Sequence, residues 1–477
     1  MKKNVSKSSR ELGVRIAVPV LFAALCFLTI LTISTISWSN RASAGFDLDG
    51  LTNETRRTEA DLADYLLPEF IGVTVDGVRS GVSGSVNVIS ELYALLTPTL
   101  RSAFYSTVPL NEGNWENCTA AENSVYIKYH SELPDGILAL FAGMGTNTSA
   151  DSVNFRGNVR EIFLLPPASV SDDTTMMTRS DSGDLRMYVI PSHKASVGRE
   201  ELERFVRFYG TGMNSFLFNE GKYEFLAWTE PVYTEALQQR QLIMTDGTAA
   251  LIQNSSGERE EILRRFGFNP DKLLNVHTES DGSASYYDTH GILYFGESSF
   301  EYVSSSADNG RSVSDILGRT FAPDGSAADT LGDYIRAAVL LYEDIAAVNP
   351  IYAGGEADLL LRSVSSENGT VTLRFMYTVG NLRITDEQDA YRITFSAGRV
   401  QSAGLHTVAV RVLADRAFSY MEWWFASTLE RFSSDVRLVY RSDYVSESVT
   451  AEWAAEELTF TGPEEPTETE KEEDHGE

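Results

Sequence analysis

Cysteine is almost absent from this chain, which excludes a disulfide framework. Only Cys26 and Cys118 occur among 477 residues, and Cys26 falls inside a long apolar run that predicts a membrane span. We therefore expect no intramolecular disulfide, so an exported chain of this length must be stabilised by core burial. Hydrophobic residues make up 43% of the sequence and aromatic residues 11%, which is sufficient for folded cores.

Positive charge is also scarce. The chain has 39 Lys and Arg residues against 68 Asp and Glu residues, a formal net charge of -29. Such a surface repels the phosphates of nucleic acids, so we expect no nucleic-acid partner.

Motifs of known catalytic chemistry are missing as well. Residues 81–85 fail the G-x-S-x-G pattern at the last position, and no H-E-x-x-H, paired C-x-x-C or P-loop occurs. Gly210-Thr211-Gly212 lacks the third glycine of a dinucleotide loop, and residues 47–50 do not keep the spacing of a calcium loop. His130 and Glu132 could form an acid–base pair, but we interpret them as surface residues at a strand end. We expect no enzyme activity, cofactor or metal, although sequence spacing alone leaves paired carboxylates of the glycosidase type open.

The longest apolar run, residues 16–38, predicts a transmembrane helix. It carries no charged residue, and as a helix it would span about 35 Å, enough for a hydrocarbon core of about 30 Å. Lys2, Lys3, Lys7, Arg10 and Arg15 precede it. The positive-inside rule therefore predicts that residues 1–15 are cytoplasmic and that the remainder is extracytoplasmic.

Two alternatives to an uncleaved anchor follow from the same region. Ala42-Ser43-Ala44 has the pattern of a signal-peptide cleavage site, but the apolar run is longer than a usual signal sequence. A lipoprotein would need a small residue before Cys26, where this chain has Leu25. We favour the anchor and interpret Cys26 as an apolar residue of the span.

The extracytoplasmic part predicts an α+β fold with antiparallel sheets and packed helices. Composition shifts divide it into an N-terminal domain (45–175), a central domain (176–312), a C-terminal helix-plus-β-meander domain (313–447) and an acidic disordered tail (448–477).

In the N-terminal domain, several elements follow from residue patterns. Residues 58–67 predict a short helix, and residues 85–106 predict a helix interrupted at Pro98. Alternation over residues 125–130 predicts a strand, and Pro134 predicts the start of the next helix.

The C-terminal domain has the clearest pattern. Thr330 and Asp333 form a predicted capping box at the start of a helix that ends at Asn349-Pro350. Residues 396–399 predict the turn of a hairpin within a four-stranded antiparallel meander. The central domain repeats this order of one helix followed by strands.

Four segments together resemble the YycH family of extracytoplasmic regulators of the WalK (YycG) sensor kinase. They are LLPEFIGVTVDG, SVYIKYHSELPDGILALF, YYDTHGILYFG and LLLRSVSSENGTVTLRFMYTVGNLRI, and the last also resembles the YycI family. The acidic tail and the form of residues 298–308 depart from the pattern. The resemblance implies a membrane-tethered regulator of a two-component system linked to the cell wall. It also implies two partners, the sensor histidine kinase and a second single-span YycI-like protein.

Two further features bear on how such a protein makes contacts. Thr29, Thr32 and Thr35 share one face of the predicted span, and hydroxylated residues favour helix–helix packing in lipid. Trp423-Trp424, with Tyr420 and Phe425, could instead form the contact surface of a cell-surface binding module. We interpret that run as an amphipathic helix that packs on the last sheet.

Overall fold

The computed structural model describes most of the chain after residue 61, with gaps. The described residues are 62–82, 85–106, 110, 113–142, 157–167, 172–209, 214–215, 238–246, 256–272, 275–280, 282–296, 299–318, 330–367, 369–385, 389–417, 436–441, 449 and 451–455. All of them belong to one compact unit that starts at Arg57.

A seven-stranded antiparallel sheet forms the first half of this unit. Its strands are β1 (Phe70–Val75), β2 (Val78–Val82), β3 (Ser124–Pro134), β4 (Asn158–Leu165), β5 (Thr174–Arg179), β6 (Leu185–Ile190) and β7 (Asn214–Ser215). They lie in the order β6-β5-β4-β3-β1-β2-β7. The predicted strand over residues 125–130 is confirmed as part of β3, but side chains on both of its faces are buried.

Four helices in the described part of the chain accompany this sheet. They are α1 (Val86–Ser106), α2 (Trp115–Thr119), α3 (Asp135–Phe141) and α4 (Arg199–Tyr209). The start of α3 after Pro134 is confirmed. The interruption at Pro98 is wrong, because α1 continues through it. Leu92, Leu96 and Leu100 are buried on α1, and the burial of this face outweighs the one backbone hydrogen bond that proline removes. The predicted helix at residues 58–67 is, within the described residues, a 3₁₀ turn at Leu62–Tyr65.

The second half begins with β8 (Gln238–Asp246) and then a helix followed by a four-stranded meander. The elements are α5 (Ser256–Arg265), β9 (Asn275–Thr278), β10 (Ala284–Tyr287), β11 (Gly291–Phe295) and β12 (Ser299–Ser304). Phe266, directly after α5, stacks on Tyr302 with ring centroids 4.9 Å apart. This contact fixes the helix end against one face of the meander.

The same arrangement follows a second time. After α6 (Val313–Ile316) come α7 (Leu331–Val348), β13 (Asp358–Glu367), β14 (Thr370–Val379), β15 (Leu382–Thr385), β16 (Tyr391–Ser396) and β17 (Arg399–His406). The capping box of Thr330 and Asp333 is confirmed, as is the helix end at Asn349. The turn at residues 396–399 is confirmed too. Ala397 and Gly398 both have positive φ, which suits a tight two-residue hairpin loop.

The two meanders meet edge to edge. Their last strands, β12 and β17, pair antiparallel and so join the two meanders in an eleven-stranded sheet. Its remaining strands are β19 (Val436–Arg441) and β20 (Ala451–Ala455), while β18 (Val408–Ala417) pairs with β8 in a separate ladder. Strand β15 pairs in parallel with β19, and the other described strand pairs are antiparallel. The predicted α+β class with antiparallel sheets is therefore confirmed.

One set of contacts between the two halves lies at the turn from β14 to β15. Asn381 has a left-handed backbone, and its side-chain amide donates to the Pro68 carbonyl at 2.8 Å. Its Oδ1 lies 3.2 Å from Nε2 of His130 on β3. The buried apolar residues of both sheets form one continuous cluster. Strands β4 and β5 pair across the predicted domain boundary at 175/176, and strands β12 and β17 pair across the one at 312/313. The strand pairing therefore shows no domain boundary at these two positions. The division into three domains stays a prediction.

Candidate interaction surface

The strands β10, β11, β12, β17 and β16 of the eleven-stranded sheet bury one face and leave the other open to solvent. At the β14 end of the sheet, Met376 and Thr378, on the same side as Arg374, are buried. Along β11, Leu293 and Phe295 are buried while Ile292 and Tyr294 are exposed, and β12 and β16 alternate in the same way. Because side chains of a strand point to opposite faces in turn, the exposed residues form one outer face. We call this surface the outer face.

Helices cover the opposite, inner face. Tyr334 of α7 packs on Phe395 with ring centroids 5.1 Å apart, and Tyr342 packs on Tyr391 at 5.8 Å. Burial raises the pKa of Tyr391, and the neighbouring Tyr342 adds to the shift. Such phenols stay neutral at physiological pH, so the inner face is a core without ionised groups at these positions.

The strand register places the outer-face residues in two rows. The first row, from β10 to β14, is Ser285, Tyr294, Glu301, Gly404, Arg392 and Arg374. The second is Tyr287, Ile292, Val303, Ser402, Thr394 and Thr372.

Large apolar side chains collect at the β10–β12 end of these rows. Tyr287, Ile292, Tyr294 and Val303 expose between 36% and 51% of their surface. Isolated exposed apolar residues are common, but contiguous ones rimmed by polar residues are typical of interaction sites. These four occupy neighbouring positions on three adjacent strands, so they form one patch.

Charged side chains lie beside that patch. Glu301 belongs to β12, and Arg392 and Arg374 lie directly opposite each other on β16 and β14. Two cations at one cross-strand position repel each other. Asp389 relieves part of this repulsion, because its carboxylate lies 3.5 Å from Arg374 and 3.3 Å from Arg362.

A small cavity lies where β14 leaves β16 for β15. It encloses about 340 Å³ of space, including the part open to solvent, and is lined by Arg362, Arg383, His406 and Tyr377 among others. The Tyr377 hydroxyl donates to the His406 carbonyl at 3.2 Å. Burial raises the pKa of Tyr377, with Tyr342 adding to the shift. These contacts hold the cavity wall in place.

The first sheet differs, because its polar groups are buried in a network. Glu161 accepts a hydrogen bond of 2.5 Å from the Tyr126 hydroxyl and forms an ion pair with Arg179. Arg179 also lies over the ring of Trp115, 4.5 Å from its centroid. Burial raises the pKa of Tyr126, and the Glu161 carboxylate raises it further. This carboxylate therefore has structural partners on two sides.

His130 and Glu132, which the sequence suggested as a possible acid–base pair, do not form a pair at the surface. His130 is buried and contacts Asn381, which corrects its interpretation as a surface residue. Glu132 instead accepts from the Asp181 amide at 2.9 Å and from Asn158 at 3.3 Å. The burial of His130 follows from packing between the two halves, which sequence spacing does not reveal.

Other predicted features lie outside the described residues. These are the span at 16–38 with Thr29, Thr32 and Thr35, the motif at 47–50, Gly210-Thr211-Gly212 and the aromatic run at 420–425. Among the described residues, no helix has the length and apolar character needed to cross a membrane. Within that same part of the chain, no group of three His, Cys, Asp or Glu residues is arranged to hold a metal ion.

The sequence did not identify the outer face. Alternation in β11 and β12 could have indicated one open face, but the next strand beside β12 is β17, which lies far along the chain. No family model matches the chain, and neither a characterised protein nor a solved structure shows significant similarity to it.

Proposed function

We propose that this protein is a membrane-anchored, extracytoplasmic regulator that modulates a two-component sensor histidine kinase linked to cell-wall homeostasis. It acts by protein–protein interaction, without chemistry of its own. The observation that supports this most directly is the outer face, which leaves Tyr287, Ile292, Tyr294 and Val303 exposed in one patch. A contiguous apolar patch beside charged residues is what a protein-binding surface requires.

The sequence supports the location and the class of partner. The apolar run 16–38 after a basic N-terminus favours a single-pass anchor with the bulk of the chain outside. The resemblance to the YycH and YycI families supports a sensor kinase and a second single-span YycI-like protein as partners. Contacts in the membrane would then use Thr29, Thr32 and Thr35, and contacts outside it would use the outer face.

The location has a direct test. A reporter enzyme that works only outside the cytoplasm should be active when it is fused after Glu477. The intact protein should also stay in the membrane after a high-salt wash. Release of a soluble form that begins near Gly45 would contradict the anchor and favour signal-peptide cleavage.

The interaction is tested by separating the membrane contact from the outer face. Leucine at positions 29, 32 and 35 keeps the span long and apolar, so insertion should persist while co-purification with the kinase falls. Ile292→Glu with Val303→Glu places carboxylates on the outer face and should reduce kinase binding without unfolding the protein. Leu413→Glu on β18 is the control, since Leu413 is similarly exposed but lies outside the eleven-stranded sheet.

Kinase autophosphorylation in membranes gives the functional readout. We expect both sets of variants to change kinase output and the control to leave it unchanged. If all variants bind and regulate the kinase as the unmodified chain does, the proposed function is wrong.

A further inference from the structure

The first row of the outer face has opposite character on the two sides of Gly404. On one side lie Glu301 and then Tyr294; on the other lie Arg392 and then Arg374. An anion and an aromatic ring therefore occupy positions that mirror two cations. A surface with this arrangement is complementary to itself after a two-fold rotation.

The two charges nearest the centre have no ion-pair partner among the residues that the structure describes. Glu301 and Arg392 are separated by two strand spacings, about 10 Å, which is too far for an ion pair. Both side chains are exposed, and neither has an ion-pair partner among the described residues. Each charge is therefore available to a partner that carries the opposite sign at the matching position.

The second row of the outer face has side chains of similar shape on the two sides of β17. Val303 and Ile292 lie on one side of Ser402, and Thr394 and Thr372 lie on the other. All four are β-branched and present a methyl group, so pairing them across two sheets brings apolar surfaces of similar size together.

The backbone conformation at position 404, at the centre of the first row, does not require glycine. Its φ is not positive, and an added Cβ would meet only Glu301 Cγ, at 3.9 Å. Glycine within a strand loses stability relative to residues with a side chain, and it often marks a close approach by another backbone. The absence of a side chain here suits contact with a second surface.

The outer face is also large enough for a specific interface. The six neighbouring strands that carry the two rows, from β10 to β14, at about 4.8 Å spacing and about six residues deep give on the order of 600 Å². Specific interfaces bury about 600–1,000 Å² on each partner. The net charge of -29 opposes association, but ions screen exposed charges beyond about 8 Å at physiological salt.

We infer that the outer face binds the outer face of a second copy of this chain. The two-fold axis lies between the two sheets, parallel to the strands, and passes over Gly404. Glu301 of each copy then faces Arg392 of the other, and Tyr294 faces Arg374 in a cation–π contact. Val303 and Ile292 pack on Thr394 and Thr372. The inference rests on the proposed function in so far as both use the outer face for protein contacts.

Self-association is measured on the full chain, purified in detergent, by sedimentation velocity over a micromolar concentration range. Gly404→Val should leave the thermal unfolding midpoint unchanged or raise it, because valine suits a strand with open space above it. The same variant should abolish the dimer, since two valines would meet on the axis. Leu413→Glu is the control and should leave the dimer unchanged.

Charge reversal tests the pairing itself. Glu301→Arg or Arg392→Glu alone should weaken the dimer by about tenfold or more, since each places two pairs of like charges in the symmetric interface. The double variant should recover the dimer to within about threefold, because it recreates both pairs with the charges exchanged.

A chain that stays monomeric at every concentration, or a dimer that Gly404→Val and the single reversals leave unchanged, overturns this inference. A kinase that binds the outer face of a monomeric chain also overturns it, and leaves the proposed function standing. A dimer that behaves as expected while outer-face variants leave kinase output unchanged keeps the inference and contradicts the proposed function.

Discussion

The two large sheets of this protein differ in whether one or both of their faces are buried. In the first sheet, neighbouring residues such as Ile162 and Phe163 on β4 are both fully buried. In the second, Leu293 is buried while its neighbour Ile292 is exposed. The strands that carry these residues pair antiparallel with their neighbours in both sheets, and antiparallel sheets can either be covered on both sides or keep one face in solvent.

This difference separates a structural part from a surface able to bind. The second face of the first sheet is filled by Tyr126, Phe163 and the ion pair between Glu161 and Arg179, so little of it is free for a partner. Over β10, β11, β12, β17 and β16, the second sheet is covered on its inner face alone. Its outer face is therefore the broad sheet surface that a partner can reach.

The largest expected effect comes from the inner face of the second sheet. Val339 on α7 is fully buried, so Val339→Asp would place an unpaired carboxylate in the core. We expect loss of cooperative folding, measured by thermal unfolding and circular dichroism. Val303→Asp on the outer face is the matched control and should change the free energy of unfolding by less than about 0.5 kcal/mol. Equal effects at the two positions would show that the second sheet is also covered on both faces.

The next prediction compares neighbours along a strand. Ile162→Ala and Phe163→Ala should each lower the free energy of unfolding by about 2–5 kcal/mol, because both side chains leave cavities. In β11 only Leu293→Ala should do so, while Ile292→Ala should cost less than about 0.5 kcal/mol. Chemical denaturation of the four variants checks this. A large loss at Ile292 would contradict the open outer face.

Local patterns were sufficient to predict much of the second half. The spacing of Thr330 and Asp333 predicted the start of α7, and small residues at 396–399 predicted the β16–β17 turn, because both features depend on neighbours in sequence. The continuation of α1 through Pro98 was missed, since packing against the first sheet decides it. The burial of His130 was missed because its partner, Asn381, lies 251 residues away.

The pairing of β12 with β17 could not be predicted for the same reason. Each strand shows only that it alternates, and a single sequence does not reveal which edges meet. The opposition of Arg374 and Arg392, and the position of Gly404 between Glu301 and Arg392, exist only once that pairing is formed. The outer face as a binding surface therefore required the structure.

A smaller effect should follow from the cap of α7, the helix that covers the inner face. The Thr330 hydroxyl accepts from the Asp333 amide at 3.2 Å, and the Asp333 carboxylate accepts from the Thr330 amide at 2.9 Å. Thr330→Ala should lower the free energy of unfolding by about 1 kcal/mol. Thr330→Ser keeps the acceptor and should restore most of it. No loss in the alanine variant would contradict a role of this cap in holding α7.

The smallest predicted effect concerns the contact between α7 and the segment before β1. The Tyr65 hydroxyl donates to Glu343 at 2.7 Å. Loss of water around the Glu343 carboxyl raises its pKa from 4.5, the Tyr65 hydrogen bond acts in the opposite direction, and Asp344 and Asp64 add to the rise.

A raised pKa means that the folded protein keeps this proton to a higher pH than the unfolded chain. The stabilising contribution is fully present below the unfolded pKa and is lost as pH rises through the folded pKa. The free energy of unfolding of Glu343→Gln, minus that of the unmodified chain, should therefore increase from pH 4 to pH 7. Although its carboxyl loses part of its water, the Glu343 residue as a whole remains exposed, so solvent screening should keep the change below about 0.5 kcal/mol. A decrease over this range would contradict the direction of the pKa shift.

Photo-crosslinking in living cells tests most directly whether the outer face is the working surface. A photoreactive amino acid replaces either Ile292 on the outer face or Val189 on β6 of the first sheet, two side chains that are both 40% exposed. After irradiation, mass spectrometry of the membrane fraction identifies the adducts. We predict adducts with another membrane protein, including the sensor kinase or a second copy of the chain, at position 292 and none at 189. Adducts at 189 alone, equal adducts at both positions or none at either would contradict the account.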